Sequence, residues 1–278
     1  MSVPFAIVED GGYCLPILYR EFQGKASGCV GIVEQTQNGI DLDRAFIKAH
    51  RAVRTPIVNV AECASKKEIE GRLVADAIVR NLKVILLKIG KGLTGKKVLV
   101  IGSGSVGIAL ADKLKDQDVA SVSAFDRREV PLAGAFSRGK ATDDHLPNLV
   151  QTADIIIGCT GRTSMKKDEL LKLKNNAILA SASSKRVEID VKELADLSTS
   201  QEARKGVGTT FTLGTGNRVT LLANGLPINF FDSESVPDEE IQFVPALLFQ
   251  GLVLLLTNKM SKGINRFPKK IENDIVRT

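Results

Sequence analysis

A chain of 278 residues is too long for one small core and predicts two modest lobes. Hydrophobic residues make up 44%, yet Trp is absent and aromatics reach only 5%, so the core is expected to be aliphatic, with Val, Ile and Leu runs forming a buried parallel sheet. The net charge of +6 is a mild basic bias, and Lys and Arg are scattered without dense aromatic interleaving, which argues against a nucleic-acid surface.

In chain order, Phe5–Val8 reads as a strand, followed by a turn at Asp10-Gly11-Gly12. Cys29–Val33 and Pro56–Val60 are further strands. Between them Asp41–Val53 has helical spacing through Leu42, Ala45, Phe46 and Ala49, a βαβ pattern that implies parallel pairing. A long helix is predicted over Ser65–Ile89, with an apolar face traced through Ile69, Leu73, Ala77, Ile78, Leu82, Ile85, Leu86 and Ile89. Gly90 and Gly92 end it, and it reads as a connector between lobes. The second lobe opens with a strand at Val98–Ile101 and a helix over Ser105–Leu114. Strands follow at Ala120–Phe125, Ile155–Ile157, Ala177–Ala180 and Val219–Leu222, with Asn224-Gly225 as a tight turn. Residues 199–217 read as loop and hairpin. Phe243–Leu256 is the most apolar stretch, interrupted by Pro245, Gln250 and Gly251. It is shorter than the ~20 residues that cross a bilayer and reads as a buried helix, with no membrane role. The expected architecture is α/β: a Rossmann-type NAD-binding domain over 91–242, and a smaller α/β lobe over 1–90 onto which 243–278 pack back.

The segment Val98-Leu-Val-Ile-Gly-Ser-Gly-Ser-Val-Gly107 places G-x-G-x-x-G between a buried strand and a helix. Gly102 permits the tight turn, Gly104 lets the backbone approach a pyrophosphate, and Gly107 allows close helix–strand packing. The free N–H groups at the helix start, around Ser105 and Val106, then face the phosphates. Asp126 ends the next strand roughly 20 residues on, placed to accept from the ribose hydroxyls and to repel a 2′-phosphate, which favours NAD. Arg127 and Arg128 follow and leave room for NADP.

The cysteines Cys14, Cys29, Cys63 and Cys159 lack C-x-x-C spacing and the only histidines are His50 and His145, so no metal site is expected. The thiols suit a reducing compartment, hence the cytoplasm. Met-Ser-Val-Pro is not followed by a signal-peptide pattern. Lys66 and Glu70 stand four apart on one helix face. They are either a base and its orienter or a surface ion pair worth about 0.3–0.5 kcal/mol. Asp10 lies in a turn of a kind that holds functional groups and is also routine. Glu34 follows a strand; His50 and His145 read as surface and helix-capping residues.

Beyond the fingerprint, widely spaced segments are similar to the S-adenosylhomocysteine hydrolase family. Val8-Glu9-Asp10-Gly11-Gly12 resembles its D-D-G-G, Gly31-Ile-Val-Glu-Gln-Thr36 its G-I-S-E-E-T, and Pro56-Ile-Val-Asn-Val60 with Ser65-Lys66 its P-A-I-N-V and T-K. Val187-Glu-Ile-Asp-Val191 matches V-E-I-D-V, and Leu221-Leu-Ala-Asn-Gly225 through Asn229 resembles L-L-A-E-G and a following Asn. The resemblance implies that Lys66 assists proton removal during hydride transfer and that Asp10 is an active-site aspartate. It also implies that Thr36, Thr160 and Gly161 lie beside the cofactor and that Asn229 lies near the nicotinamide carboxamide. Departures fall on the substrate side. Gln35 replaces a Glu, Gln37 and Asn38 replace threonines, Glu70-Gly71 stand for Asp-Asn, and Ser181-Ala-Ser-Ser184 replaces N-I-G-H. Val236 stands at the second histidine, and the N-terminal substrate segment and C-terminal cofactor clamp are missing from the sequence.

The leading expectation is an NAD-dependent oxidoreductase acting on a small polar metabolite. The alternatives are a redox-neutral hydrolase or lyase that keeps its NAD, and a non-catalytic NAD-binding regulator. The cleft between lobes is expected to hold the nicotinamide with Lys66, Glu70, Asp10 and Asn229. The shortened first lobe leaves a sheet edge that needs cover, which predicts a homodimer.

Overall fold

The computed structural model describes residues 3–50, 53–127, 145–183, 185–232, 234–257 and 260–277. Arg128, Ser184 and the side chain of His145 lie outside the described residues. The chain divides into two compact units, Met1–Glu70 with Pro237–Thr278, and Gly71–Val236.

The first unit starts with β1 (Phe5–Glu9), α1 (Cys14–Arg20), α2 (Gln23–Ala26) and β2 (Cys29–Glu34). Helix α3 (Gln37–Ala49) begins four residues before its apolar periodicity, because the Thr36 side chain accepts from Gly39 N at 3.0 Å and caps the first turn. Strand β3 (Pro56–Asn59) follows, and then a π-helical turn over Lys66–Glu70.

The second unit opens with α4 (Gly71–Lys88). The single helix expected over Ser65–Ile89 is thus a π turn joined to an α-helix, and the division falls between them rather than at residue 90. Packing gives the reason: Ala75, Ile78, Leu82, Ile85 and Leu86 share one aliphatic cluster with Val98, Val100, Leu110 and Leu114. The unit continues through β4 (Lys97–Ile101), α5 (Ser105–Lys115), β5 (Ser121–Phe125), α6 (His145–Thr152), β6 (Ile155–Gly158), α7 (Lys167–Leu170) and β7 (Ala177–Ser181). It ends with α8 (Val191–Asp196), β8 (Ser198–Arg204), β9 (Gly208–Leu213) and β10 (Arg218–Leu222). The strands form one sheet in the order β5-β4-β6-β7-β10-β9-β8. The first five run parallel; β9 and β8 are antiparallel, the hairpin expected within 199–217. Because β4 pairs with β5 on one side and β6 on the other, the chain reverses its direction of travel across the sheet there. Ligands of open α/β sheets bind at such a switch point.

The chain then returns to the first unit through α9 (Asp238–Ile241), α10 (Phe243–Thr257), β11 (Gly263–Arg266) and α11 (Lys269–Arg277). Strand β11, absent from the sequence expectation, extends the parallel sheet to the order β1-β2-β3-β11. Helix α10 covers that sheet: a Cβ on Gly251 would lie 2.8 Å from Val33 Cγ1, so only glycine permits the approach. The expectation of a buried helix holds for one face alone. Leu247, Leu254 and Leu255 are buried, whereas Phe249 and Leu256 are exposed. By length and composition Asp238–Thr257 is apolar enough to cross a membrane, with a mean hydropathy of 1.7. Its packing on β2 and β3 accounts for the buried minority of that apolar surface.

Candidate functional site

In the second unit the fingerprint turn has the geometry a dinucleotide needs. Gly102 follows β4 at φ +113°, and a Cβ there would meet Cys159 O at 2.7 Å. At Gly107 the approach is closer: a Cβ would lie 1.9 Å from Gly102 O, so the helix start and the turn touch backbone to backbone. Gly104 differs. It caps α5 at φ −70°, ψ −178°, and a Cβ there would meet nothing within 4 Å. Its lack of a side chain serves no packing in the protein itself and leaves a cradle open above the helix N-terminus. Ser105 is exposed at that terminus, and Val106 packs inward on the aliphatic cluster.

Asp126 is buried at the end of β5 and accepts from Ser103 N at 2.8 Å and Ser103 Oγ at 2.9 Å. Its carboxylate therefore braces the turn, a role the spacing alone did not reveal. Arg127 pairs with Glu169 at 3.1 Å, which directs its guanidinium to α7.

The loop after β6 is held by a residue that sequence reasoning passed over as part of a matching string. Buried Glu188 accepts from Gly161 N at 2.6 Å, from Thr160 Oγ1 at 2.9 Å and from Ser164 Oγ. Burial pushes its carboxyl upward, and these hydrogen bonds pull it back. Glu188 thus positions Thr160 and Gly161. Asn229 is buried; its Nδ2 donates to Ser235 Oγ at 3.1 Å while its Oδ1 has no hydrogen-bond partner among the described residues. Asn81, on α4, holds this segment by donating to Ile228 O and Asn229 O. An orphaned buried amide oxygen costs stability unless a ligand donates to it.

In the first unit, the Asp10–Gly12 turn and Thr36 converge on Glu34. The Glu34 carboxylate accepts from Gly12 N at 2.8 Å, from Gly11 N, from Thr36 N at 2.6 Å and from Thr36 Oγ1 at 2.7 Å. The Thr36 hydroxyl is thereby committed to Glu34 and to its capping bond, and Asp10 is exposed on the turn. Lys66 Nζ lies 2.5 Å from the Glu70 carboxylate, with only 10% of the lysine side chain exposed. This pair is more enclosed than an ordinary surface i,i+4 bridge, and it rides on a π turn, a form that recurs at functional sites. Cys63 is buried, and burial together with nearby Glu272 pushes its thiol up to about 12, which makes it a poor nucleophile. His50 stacks on Phe46 at 4.1 Å.

The family model for the S-adenosyl-L-homocysteine hydrolase NAD-binding domain matches residues 72–234, more than half the chain. The chain belongs to this family. An S-adenosyl-L-homocysteine hydrolase NAD-binding domain therefore accounts for nearly all of the second unit, and its cofactor is NAD. Adenosylhomocysteinase from Thermotoga maritima is 29% identical over 99% of this chain and 67% of its own length. S-inosyl-L-homocysteine hydrolase from Methanopyrus kandleri is 25% identical over 98% of this chain and 64% of its own. The chain thus spans about two thirds of the length of the curated relatives it matches. Among solved structures, D-lactate dehydrogenase with NAD+ from Lactobacillus jensenii superposes with a TM-score of 0.53 at 14% identity, covering 94% of this chain and 86% of its own. A glyoxylate reductase from Paecilomyes thermophila superposes at 0.50 and 14% identity, covering 95% and 98%. These two likenesses show the Rossmann-type α/β fold. The hydrolase-family NAD domain fits the residues present: an open cradle at Gly104, a braced turn and an orphaned acceptor on Asn229.

Proposed function

We propose that this protein is an NAD-dependent enzyme acting on a small polar metabolite that carries a hydroxyl or amine at the reacting carbon. The observation that carries the reading is the cradle at Gly104, glycine where the protein's own packing does not require it. The amides of Ser105 and Val106 would hold the pyrophosphate and Asp126 the adenosine ribose. Thr160, Gly161 and the Asn229 Oδ1 acceptor would meet the nicotinamide end. When bound, NAD supplies a hydride acceptor for a carbon bearing a hydroxyl or amine. Such an oxidation also needs a proton acceptor. Lys66 would take that role in its neutral form, its own proton having passed to solvent, and would receive the substrate's proton, with Glu70 orienting the amine. Asp10 and Thr36 contribute to substrate and cofactor contacts.

The hydrolase relatives favour a second reading in which the hydride returns to the product and the net reaction is a hydrolysis. The rewritten positions Gln35, Gln37, Asn38 and Ser181–Ser183 argue for a substrate other than S-adenosyl-L-homocysteine. The Lys66→Met variant tests the assignment. It should keep NAD affinity within about threefold and lose at least ~100-fold in turnover, in line with the 10²–10⁴-fold typical of general acid–base groups. Net NADH formation in the wild type supports the oxidoreductase reading; product without NADH supports the hydrolytic one. Unchanged function in Lys66→Met, with NAD still bound, would instead favour a regulator. A homodimer that covers the edge of the first unit's sheet, in the cytoplasm, completes the proposal.

A further inference from the structure

Parallel strands β1 and β2 pair in register so that Glu9 stands directly beside Glu34. Like charges side by side on a sheet repel. The fold adds a third carboxylate instead of a counter-charge. Asp43 lies on the buried face of α3, one turn beyond Gly39, whose missing Cβ is what lets the Glu34 carboxylate rest against the helix. Glu9, Glu34 and Asp43 each offer an oxygen within 4.8 Å of the others, and all three residues are buried, Asp43 at 0% exposure. Among the described residues no Lys, Arg or His forms an ion pair with any of them.

Hydrogen bonding leaves part of this cluster open. Glu34 accepts from the amides of Gly11, Gly12 and Thr36 and from the Thr36 hydroxyl, bonds that fix its carboxylate within reach of Glu9 and Asp43. Glu9 Oε2 accepts from Cys14 N at 2.8 Å, but Glu9 Oε1 and both Asp43 oxygens have no partner among the described residues. A proton shared between Asp43 and Glu9 satisfies only two of those three oxygens, whereas a cation bound by Glu9 Oε1 and by both oxygens of Asp43 would satisfy all three. The neighbouring Cys14 thiol is pushed up to about 11, by burial and then by Glu9, with Glu34 and Asp43 adding to the same uncompensated negative field.

We propose that Glu9, Glu34 and Asp43 form a site for one hard divalent cation, Mg²⁺, Ca²⁺ or Mn²⁺, directly behind the Asp10–Gly12 turn. An all-oxygen, carboxylate-rich donor set selects these ions over softer ones. The cation would fix the end of β1 and thereby the position of Asp10. This goes beyond the NAD-dependent reading and does not rest on it, because its readout is binding of the metal alone.

The test uses the full chain, stripped with a chelator, in the absence of NAD. Isothermal titration and thermal unfolding are run with MgCl2, CaCl2 and MnCl2 separately. The expected result is saturable binding of one ion per chain for at least one metal, with a rise in Tm of several degrees. Asp43→Asn should lose both. If Asp43→Asn does not fold, Glu9→Gln replaces it, since the amide oxygen of Gln can still accept from Cys14 N. No binding of any of the three metals to the wild type overturns the proposal. So does binding that survives unchanged in the folded variant.

Discussion

Substituting Gly104 by alanine separates cofactor binding from folding at a single atom. A Cβ at Gly104 meets nothing within 4 Å, and the residue's φ of −70° suits any L-amino acid. The free protein should therefore tolerate the methyl group. Alanine caps a helix worse than glycine, but it also restricts the unfolded chain, so the two effects offset and stability should change by less than about 1 kcal/mol. The bound state differs, because the pyrophosphate must approach the backbone where the methyl now projects. Forcing a methyl group into a well-packed contact costs about 1–3 kcal/mol, which corresponds to a loss of roughly 5- to 150-fold in affinity. Isothermal titration with NAD measures the affinity and differential scanning calorimetry the Tm. Wild-type NAD affinity in a folded Gly104→Ala protein would refute the reasoning, since the cradle would then lie elsewhere.

Gly107→Ala should behave in the opposite way. Its Cβ would fall 1.9 Å from Gly102 O, a backbone atom that no rotamer change can move aside. A loss of about 1–3 kcal/mol and a drop in Tm of roughly 3–10 °C are expected with or without NAD, read by the same calorimetry. For Asp43, burial and then the charges of Glu9 and Glu34 raise its carboxyl from 3.8 to about 7 in the folded protein. The native state therefore holds the proton more tightly than the unfolded chain. Stability from this group is fully present below about pH 4 and is lost as pH rises through about 7, a change on the order of 4 kcal/mol. Urea unfolding of chelator-treated protein across that range should show the decline, and Asp43→Asn should flatten it. A wild-type and variant difference that does not depend on pH would contradict the assignment.

Much of the second unit was legible because its signals are local. Val98–Ile101, the glycine turn and Ser105–Leu114 form a continuous strand–turn–helix stretch whose residue types answer steric demands within a few positions. The structure places β4 and α5 there with small changes at the ends. The helix expected over Ser65–Ile89 was traced correctly by its apolar face. Its break at Glu70 was not, since periodicity registers burial and is blind to a change from π to α hydrogen bonding. Strand β11 was missed because Gly263–Arg266 is short and polar, and it becomes a strand only by pairing with β3.

The amino-acid order alone pointed to a dinucleotide turn and to the residues expected to carry it, and it set Lys66 and Glu70 four apart on one helix face, because those readings depend on neighbours within one or two turns of chain. Tertiary structure decided the rest. It turned Glu188 toward the Thr160 loop, gave Asp126 to Ser103, orphaned the Asn229 oxygen and gathered Glu9, Glu34 and Asp43. Each of those contacts joins separate elements, and a charged side chain reads the same in sequence whether it meets water or a buried partner. Only packing settles which, since burial removes the water that would otherwise satisfy the group and makes its remaining partners decisive.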